Sequence, residues 1–384
     1  MNSRWPDKFV IGLTGNIGTG KSVVRKMLEH LGAYGIDADA LSHRAISKGA
    51  PGYQLVINKF GTWLVNKDGE IDRARLGRVV FSDPEALQML EDIIHPLVYQ
   101  AVDILVKHST YKVVVIEAIK LIESSLGRSS ESIWVTTVPE PVQIQRLVES
   151  RGMNEADAKQ RVSAQSTQQQ KIIKANVVIE NGKSFAETWR QVSAAWISSV
   201  PENYRTKSNQ LDKARVVKNN KEVTVRRGHP QDADLIASFL NKSSINKDRY
   251  SAEDIMANLG ERAYIIFLAG TRVVGLVGLQ VENLIARTID IVVDPDVPIS
   301  RILPQMIMEM ERASRDLQCE VSLVYAPPRL AGIEMIWKSL GYEPTLPEKL
   351  EVRAWQEAAE ESRPQQTARL FFKRLRIDRI MKPI

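Results

Sequence analysis

Phe9-Val10-Ile11-Gly12-Leu13-Thr14-Gly15-Asn16-Ile17-Gly18-Thr19-Gly20-Lys21-Ser22 decides how this chain is read. Residues 9–13 form a short apolar run, a strand signal, which ends on a glycine-rich stretch. From Ser22 onward Val23, Val24, Met27, Leu28 and Leu31 recur on one face, so the spacing predicts a helix over 22–31. Between strand and helix, Gly15, Asn16, Ile17, Gly18, Thr19, Gly20, Lys21 and Ser22 fit G-x-x-x-x-G-K-[ST]. Glycines let successive backbone N–H groups turn inward around phosphate oxygens, and the helix N-terminus faces the same anion. Lys21 reaches the β and γ phosphates, and the Ser22 hydroxyl is a Mg²⁺ ligand. The stretch therefore implies a nucleoside triphosphate, with Mg²⁺, on this loop.

Outward from the loop, strand and helix signals alternate. Residues 113–116, 133–138 and 177–180 are buried-type strands, the last closed by Asn181-Gly182. Residues 84–106 and 141–151 have helical spacing. Short apolar strands separated by helices predict an α/β fold, a parallel sheet with helices on both faces. In such a sheet the carboxyl ends of the strands share the edge that carries the loop. Two carboxylates fall at probable strand ends: Tyr34-Gly35-Ile36 runs into Asp37-Ala38-Asp39, and residues 113–116 run into Glu117. Asp39 and Glu117 would face the γ-phosphate, Glu117 on the metal side with Ser22. Asp37 reads equally well as the cap of the helix that follows, and a capping reading is open for Asp39 too.

The chain has 384 residues, 43% apolar and 26% charged, which excludes wholesale disorder and suggests two domains. Cys319 is the only cysteine, so neither an internal disulfide nor a cysteine-rich zinc site is available, which fits a reducing, cytoplasmic setting. No signal peptide and no membrane-spanning run are expected. The alternation breaks near residue 200. Residues 205–221 carry a net +5 and read as a basic linker over 201–221. Beyond it the pattern is mixed α+β: strands near 223–225, 264–268, 272–281, 288–293, 320–325 and 368–372. Helices are expected near 232–240, 303–317 and 331–340, the last ended by Gly341. The tail from residue 371 carries net +4. Linker and tail together exceed the overall charge of +6, so the folded bodies are slightly acidic and no broad nucleic-acid face or membrane surface is expected.

The N-terminal residues resemble the dephospho-coenzyme A kinase family over about residues 8–197. The resemblance rests on the loop and Ile36-Asp37-Ala38-Asp39 with Arg44, then Phe60-Gly61 and Asp68-Gly69-Glu70-Ile71-Asp72-Arg73. It continues through Val80-Phe81-Ser82-Asp83-Pro84, His95-Pro96, Gln143-Ile144-Gln145-Arg146-Leu147, Arg151-Gly152, Arg161 with Gln165, and Lys171. It implies a P-loop nucleoside-triphosphate-hydrolase-like fold over 1–200 and transfer of the ATP γ-phosphate to the ribose 3′-hydroxyl of dephospho-CoA, the last step of CoA synthesis. It implies Asp39 as general base, Lys21 and the lid arginines Arg146, Arg151 and Arg161 against the phosphates, and Arg44 and His95 on the acceptor side with Glu117. One segment departs: the family's aspartate followed by Pro-Leu-Leu is here Glu117-Ala118-Ile119-Lys120-Leu121.

Residues 222–384 resemble, more weakly, the GNAT-like N-acetyltransferase family, through the order of elements and Ile333-Glu334-Met335-Ile336-Trp337-Lys338-Ser339-Leu340-Gly341-Tyr342-Glu343. Active members hold the acetyl-CoA pyrophosphate on a glycine-containing loop. The corresponding residues 294–304 hold three prolines and no glycine, and each proline removes a donor. The resemblance therefore implies a degenerate module that packs on the kinase or meets a protein partner. A catalytically weakened nucleotide or CoA sensor, and a bifunctional kinase plus N-acetyltransferase, are the alternatives.

Overall fold

All six residues of β1 (Phe9–Thr14) and all five of β3 (Val113–Glu117) are buried, as a strand covered on both faces must be. The structure, a computed structural model, describes residues 4–205, 215–217, 220–243, 249–364 and 367–377. With β2 (Ala33–Asp37), β4 (Ser132–Thr137) and β5 (Val177–Glu180) these strands form a parallel sheet in the order β2-β3-β1-β4-β5. Alternate residues sort to opposite faces. Ile11, Leu13 and Val115 meet Val24, Met27 and Leu28 of the helix Lys21–His30 and Trp196 of the helix Phe185–Ser199. Val10, Val114 and Ile116 meet Leu41 of the helix Ala38–Ala45 and Val102 and Leu105 of the helix Pro84–His108. The helices on both faces match the sequence expectation.

The C-terminal half builds a second, mixed sheet: β6 (Arg215–Val217), β7 (Asn220–Arg227), β8 (Ala263–Ala269), β9 (Arg272–Glu282), β10 (Ile285–Val293), β11 (Val321–Ala326), β12 (Glu343–Thr345) and β13 (Arg369–Arg374). Their order is β12-β13-β11-β10-β9-β8-β7-β6. Only β10 and β11 pair in parallel, over Ile285–Thr288. Inside the basic linker expected over 201–221, Arg215–Val217 forms β6 and pairs antiparallel with β7. The β-branched pair Val216-Val217 suits an extended strand, a signal that the surrounding basic residues hide. Residues 206–214 and the tail charges beyond 377 lie outside the described residues. The helix expected over 331–340 is two short ones, Pro328–Ala331 and Glu334–Ser339. The helices Ala252–Asn258 and Arg353–Glu361 escaped the sequence reading.

The two halves are wired together by buried polar groups. The Lys26 ammonium donates to the Val281 carbonyl at 3.1 Å, and Arg227 donates to the Glu29 carbonyl at 3.0 Å. His30 Nε2 lies 2.8 Å from the Leu259 carbonyl, and Gln318 donates to the Leu105 carbonyl at 2.9 Å. Leu284, at the tip of the β9–β10 hairpin, packs in the same cluster as Tyr34 and Ile36 of edge strand β2. Both hairpin residues Asn283 and Leu284 have positive φ, 51° and 62°, the left-handed pair a two-residue turn demands. No helix among the described residues is long and apolar enough to cross a membrane.

Candidate active site

The glycine-rich loop leaves β1 and enters the helix Lys21–His30, so its N–H groups stand at the carboxyl edge of the sheet. Gly20 has φ 80°, and a Cβ there would sit 2.0 Å from Asn181 Nδ2, so the turn admits only glycine. Side chains hold the loop from below. Thr19 Oγ1 lies 2.7 Å from Thr136 Oγ1 and donates to the Asn16 carbonyl at 2.8 Å. Asn181 Nδ2 donates to the Thr19 carbonyl at 3.0 Å. From the far side, the Gln165 side chain accepts the Ile17 N–H at 2.8 Å, and Asn16 donates to the Ser166 carbonyl at 2.9 Å. Lys21 is buried, its ammonium within 3.5 Å of the Asn16 carbonyl.

The carboxylates stand next to the loop because their strands do. In register, Leu13 of β1 and Asp37 of β2 both flank Glu117 of β3. Glu117 accepts the Ser22 hydroxyl at 3.0 Å and the Arg25 guanidinium at 2.7 Å. Arg25 is itself held by Glu29 at 2.7 Å, and this ring of carboxylates keeps it firmly protonated despite burial. Asp37 caps the helix Ala38–Ala45 by accepting the Ala40 N–H at 2.8 Å, the capping alternative left open for it. Burial, and the nearby Glu117 charge, push its carboxyl up.

Asp39 does not cap. It accepts the Ile119 N–H at 3.1 Å, which aims it at the loop from the side of β3. Burial first, and the Asp37 charge second, push its carboxyl up to about 6, while Lys21 and the Ile119 N–H pull the other way. The Ile119 carbonyl is in turn gripped by Thr14 Oγ1 at 3.0 Å and by the Lys171 ammonium at 2.8 Å. Burial holds Lys171 below the ordinary lysine range, and its charge faces both Lys21 and Asp39. The departing Lys120 points elsewhere, into an ion pair with Glu91.

Of the residues singled out from sequence, the structure gathers Lys21, Ser22, Asp39, Glu117 and Arg146. Arg146 donates to the Asn181 carbonyl at 2.7 Å and the Gly18 carbonyl at 3.3 Å. Arg161 stands exposed on the helix Glu155–Ser163, with no hydrogen bond or ion pair among the described residues. His95 is likewise exposed, on the long helix packed against the helix of Asp39. Arg44 needs a correction of role: it borders a cleft beside the site, but its guanidinium is committed to partners from the other half. Its guanidinium holds both oxygens of Glu320 at 2.7 Å and the Asn283 carbonyl at 2.6 Å. Glu320 is almost wholly enclosed, and the Arg44 guanidinium balances its charge there. Sequence reasoning did not assign Asn181, Lys171 or Thr136 to the site. The Asn181-Gly182 turn and the Gln165 and Lys171 positions were visible as motif members, but nothing local to them states a role.

A glycine-rich loop over a helix N-terminus, a buried lysine at its end, a hydroxyl held by a carboxylate, and a second carboxylate with raised affinity for protons define a P-loop phosphotransferase. The sequence model of the dephospho-CoA kinase family matches residues 9–187. The dephospho-CoA kinase of Geobacter metallireducens is 39% identical over 200 residues, which are 51% of this chain and 100% of that protein. That of Aquifex aeolicus is 38% identical over 187 residues, 48% of this chain and 95% of that one. The chain belongs to the dephospho-CoA kinase family, and its activity is that of a transferase acting at the last step of coenzyme A synthesis. The C-terminal half lies outside these matches. A solved N-acetyltransferase from Thermoplasma acidophilum, in complex with coenzyme A, aligns with 40% of this chain and 98% of its own at 10% identity and a TM-score of 0.31.

Proposed function

We propose that the chain transfers the ATP γ-phosphate to the ribose 3′-hydroxyl of dephospho-CoA, with Asp39 as the base. In this reading Asp39 takes the hydroxyl proton as the oxygen forms its bond to the γ-phosphorus. The bond from that phosphorus to the β–γ bridging oxygen breaks, and ADP leaves with the electron pair. Lys21 and Arg146, both anchored against the loop, neutralise charge on the transferring group. Arg161 and Arg151 belong to a lid that meets ATP only on closure, and His95 to the acceptor side. The Ser22 hydroxyl, beside the Glu117 carboxylate, is a donor set that suits Mg²⁺ carried in by nucleotide phosphates, since that ion takes one or two protein oxygens and keeps phosphate and water for the rest. Bound there, the ion would supply charge neutralisation between the β and γ phosphates.

The observation that carries the reading is the Ile119 N–H to Asp39 bond beside the loop, which leaves a proton acceptor facing the phosphate site. Asp39 works as a base only when ionised. Its carboxyl titrates near 6, so kcat/KM should rise with pH through that value and level off above it. Asp39→Asn should lower turnover of dephospho-CoA by about 10²–10⁴-fold while ATP still binds. Full activity in that variant, or none in the wild type, would sink the mechanism.

For the C-terminal half, we read residues 294–304 as unable to hold a second coenzyme pyrophosphate. Asp294 is buried there, paired with Arg272 at 2.9 Å, and its carboxylate accepts the Asp296 N–H. Pro298 precedes the helix Ile299–Asp316 without a side-chain capping bond, and Pro304 lies within it. The full chain given acetyl-CoA and amines should release thiol no faster than the uncatalysed reaction.

A further inference from the structure

The helix Ala38–Ala45 carries Asp39 and, one turn later on the same face, His43. His43 and Arg44 open onto a cleft of about 430 Å³, within the size range of ligand sites. One wall comes from the N-terminal half, residues 46–50 and 66–73. The opposite wall comes from the C-terminal half, residues 351–357, at the start of the helix Arg353–Glu361.

The carboxylates on this lining are committed. Asp72 caps the helix Arg73–Ser82 and Glu70 accepts the Lys48 N–H. Glu351 pairs with Arg374, and Glu357 with Arg353. The side chains of His43 and Arg73 are not so matched. Arg73 makes no ion pair among the described residues, and both side chains line the cleft. Partial burial of the ring, and secondly the Arg73 charge, hold the imidazole below its ordinary value and so favour its neutral form. A guanidinium with no counter-charge and an imidazole able to donate an N–H thus stand close to the helix of the base, a set of donors that suits an anionic ligand. Arg353 reaches across the mouth from the other half: its Nε donates to Glu357 at 2.8 Å and its Nη1 lies 3.8 Å from Asp68. A guanidinium carries five N–H donors, so donors remain for a ligand. The buried pair of Arg44 with Glu320 fixes the two walls against each other at the cleft floor.

Resting on the kinase reading, we propose that the C-terminal half completes the acceptor site: the helix Arg353–Glu361 walls the cleft that receives the diphosphate-bearing arm of the acceptor, and Arg353 is a specificity-determining residue. The acceptor suits this chemistry. Its reacting hydroxyl lies on the ribose, and its diphosphate hangs from the same sugar, so a hydroxyl at Asp39 carries the diphosphate into the adjoining space. The family model's match ends at residue 187, so residues 351–357 of this wall lie outside it.

The test is steady-state kinetics of the full chain carrying Arg353→Ala, Arg353→Glu and Arg353→Lys. Loss of a charge-assisted bond should raise the KM for dephospho-CoA about tenfold in Arg353→Ala. Arg353→Glu should raise it further and Arg353→Lys should recover part. The kcat and the KM for ATP should stay within about twofold of wild type. Arg73→Ala should act in the same direction as Arg353→Ala. A purely structural role would move both substrates or the melting temperature instead. An unchanged KM for dephospho-CoA in Arg353→Glu, or equal shifts for both substrates, would overturn the proposal. Calorimetric titration of dephospho-CoA into wild type and Arg353→Glu decides the matter separately from turnover. A wild type that binds the acceptor more tightly than the variant but does not phosphorylate it would fault the kinase mechanism and leave the shared cleft standing.

Discussion

Replacing Glu320 by alanine should destabilise the whole chain, because it strands a buried cation. Arg44 and Glu320 have side-chain exposures of 9% and 1%, and one guanidinium nitrogen, Nη2, reaches both carboxylate oxygens. Once the carboxylate is gone, Arg44 keeps the neutral Asn283 carbonyl as an acceptor, at 2.6 Å, and loses its paired counter-charge. Breaking one side of such a pair costs about 3–5 kcal/mol, against 0–1 kcal/mol for a typical surface pair. For a cooperative unit of this size that is a fall in melting temperature of roughly 10 °C. Scanning calorimetry and urea denaturation measure it, with each half's transition fitted separately. The double variant Arg44→Met with Glu320→Met is the counter-test. Two apolar side chains remove the desolvation cost together with the attraction, so the pair of substitutions should cost far less than Glu320→Ala alone. A loss below about 1 kcal/mol in Glu320→Ala, or a double variant as unstable as the single, would refute the reasoning.

Other consequences follow from the same geometry. Lys171→Met removes both the grip on the Ile119 carbonyl and a cation facing Asp39, so the Asp39 carboxyl should titrate higher; the acid limb of kcat/KM should move up by about one pH unit, measured on dephospho-CoA. His30 is held neutral by burial and by the Arg227 charge, its imidazole pushed down to about 3 from 6.5. Between those values the unfolded chain takes up a proton that the folded chain refuses. Stability should therefore fall as pH drops through that window, by up to about 1.4 kcal/mol per pH unit, and His30→Gln should flatten the slope in denaturation series from pH 7 to 4. Gly20→Ala puts a Cβ at φ 80° against Asn181 and should weaken ATP binding by about tenfold or more in a nucleotide titration, with dephospho-CoA binding retained.

The loop, the parallel sheet and Asp39 were legible in the sequence because each is stated locally. A glycine at a left-handed turn, an apolar run of strand length and a carboxylate just past a strand end carry their meaning within a few residues. The Glu117 carboxylate was legible for the same reason, though its partners Ser22 and Arg25 come from another element. The basic run over 205–221 hid the edge strand at 215–217, because net charge says nothing of a short β-branched pair within it. The helix Arg353–Glu361 was missed altogether.

What the sequence by itself determined is the phosphate loop and the class of sheet that presents it, since both follow from backbone periodicity and the conformational demands of glycine. What only the tertiary structure decided is where the remaining charges point. Arg44 borders the acceptor-side cleft, yet its guanidinium is taken by Glu320, 276 residues away and just before β11 of the other half. Lys171 reaches a carbonyl 52 residues back, and Asn181 reaches the loop across 162 residues. A long cationic side chain pairs with whichever carboxylate or carbonyl the packing leaves nearest in low dielectric, and that choice is made by the docking of the two sheets, after every local signal has been spent.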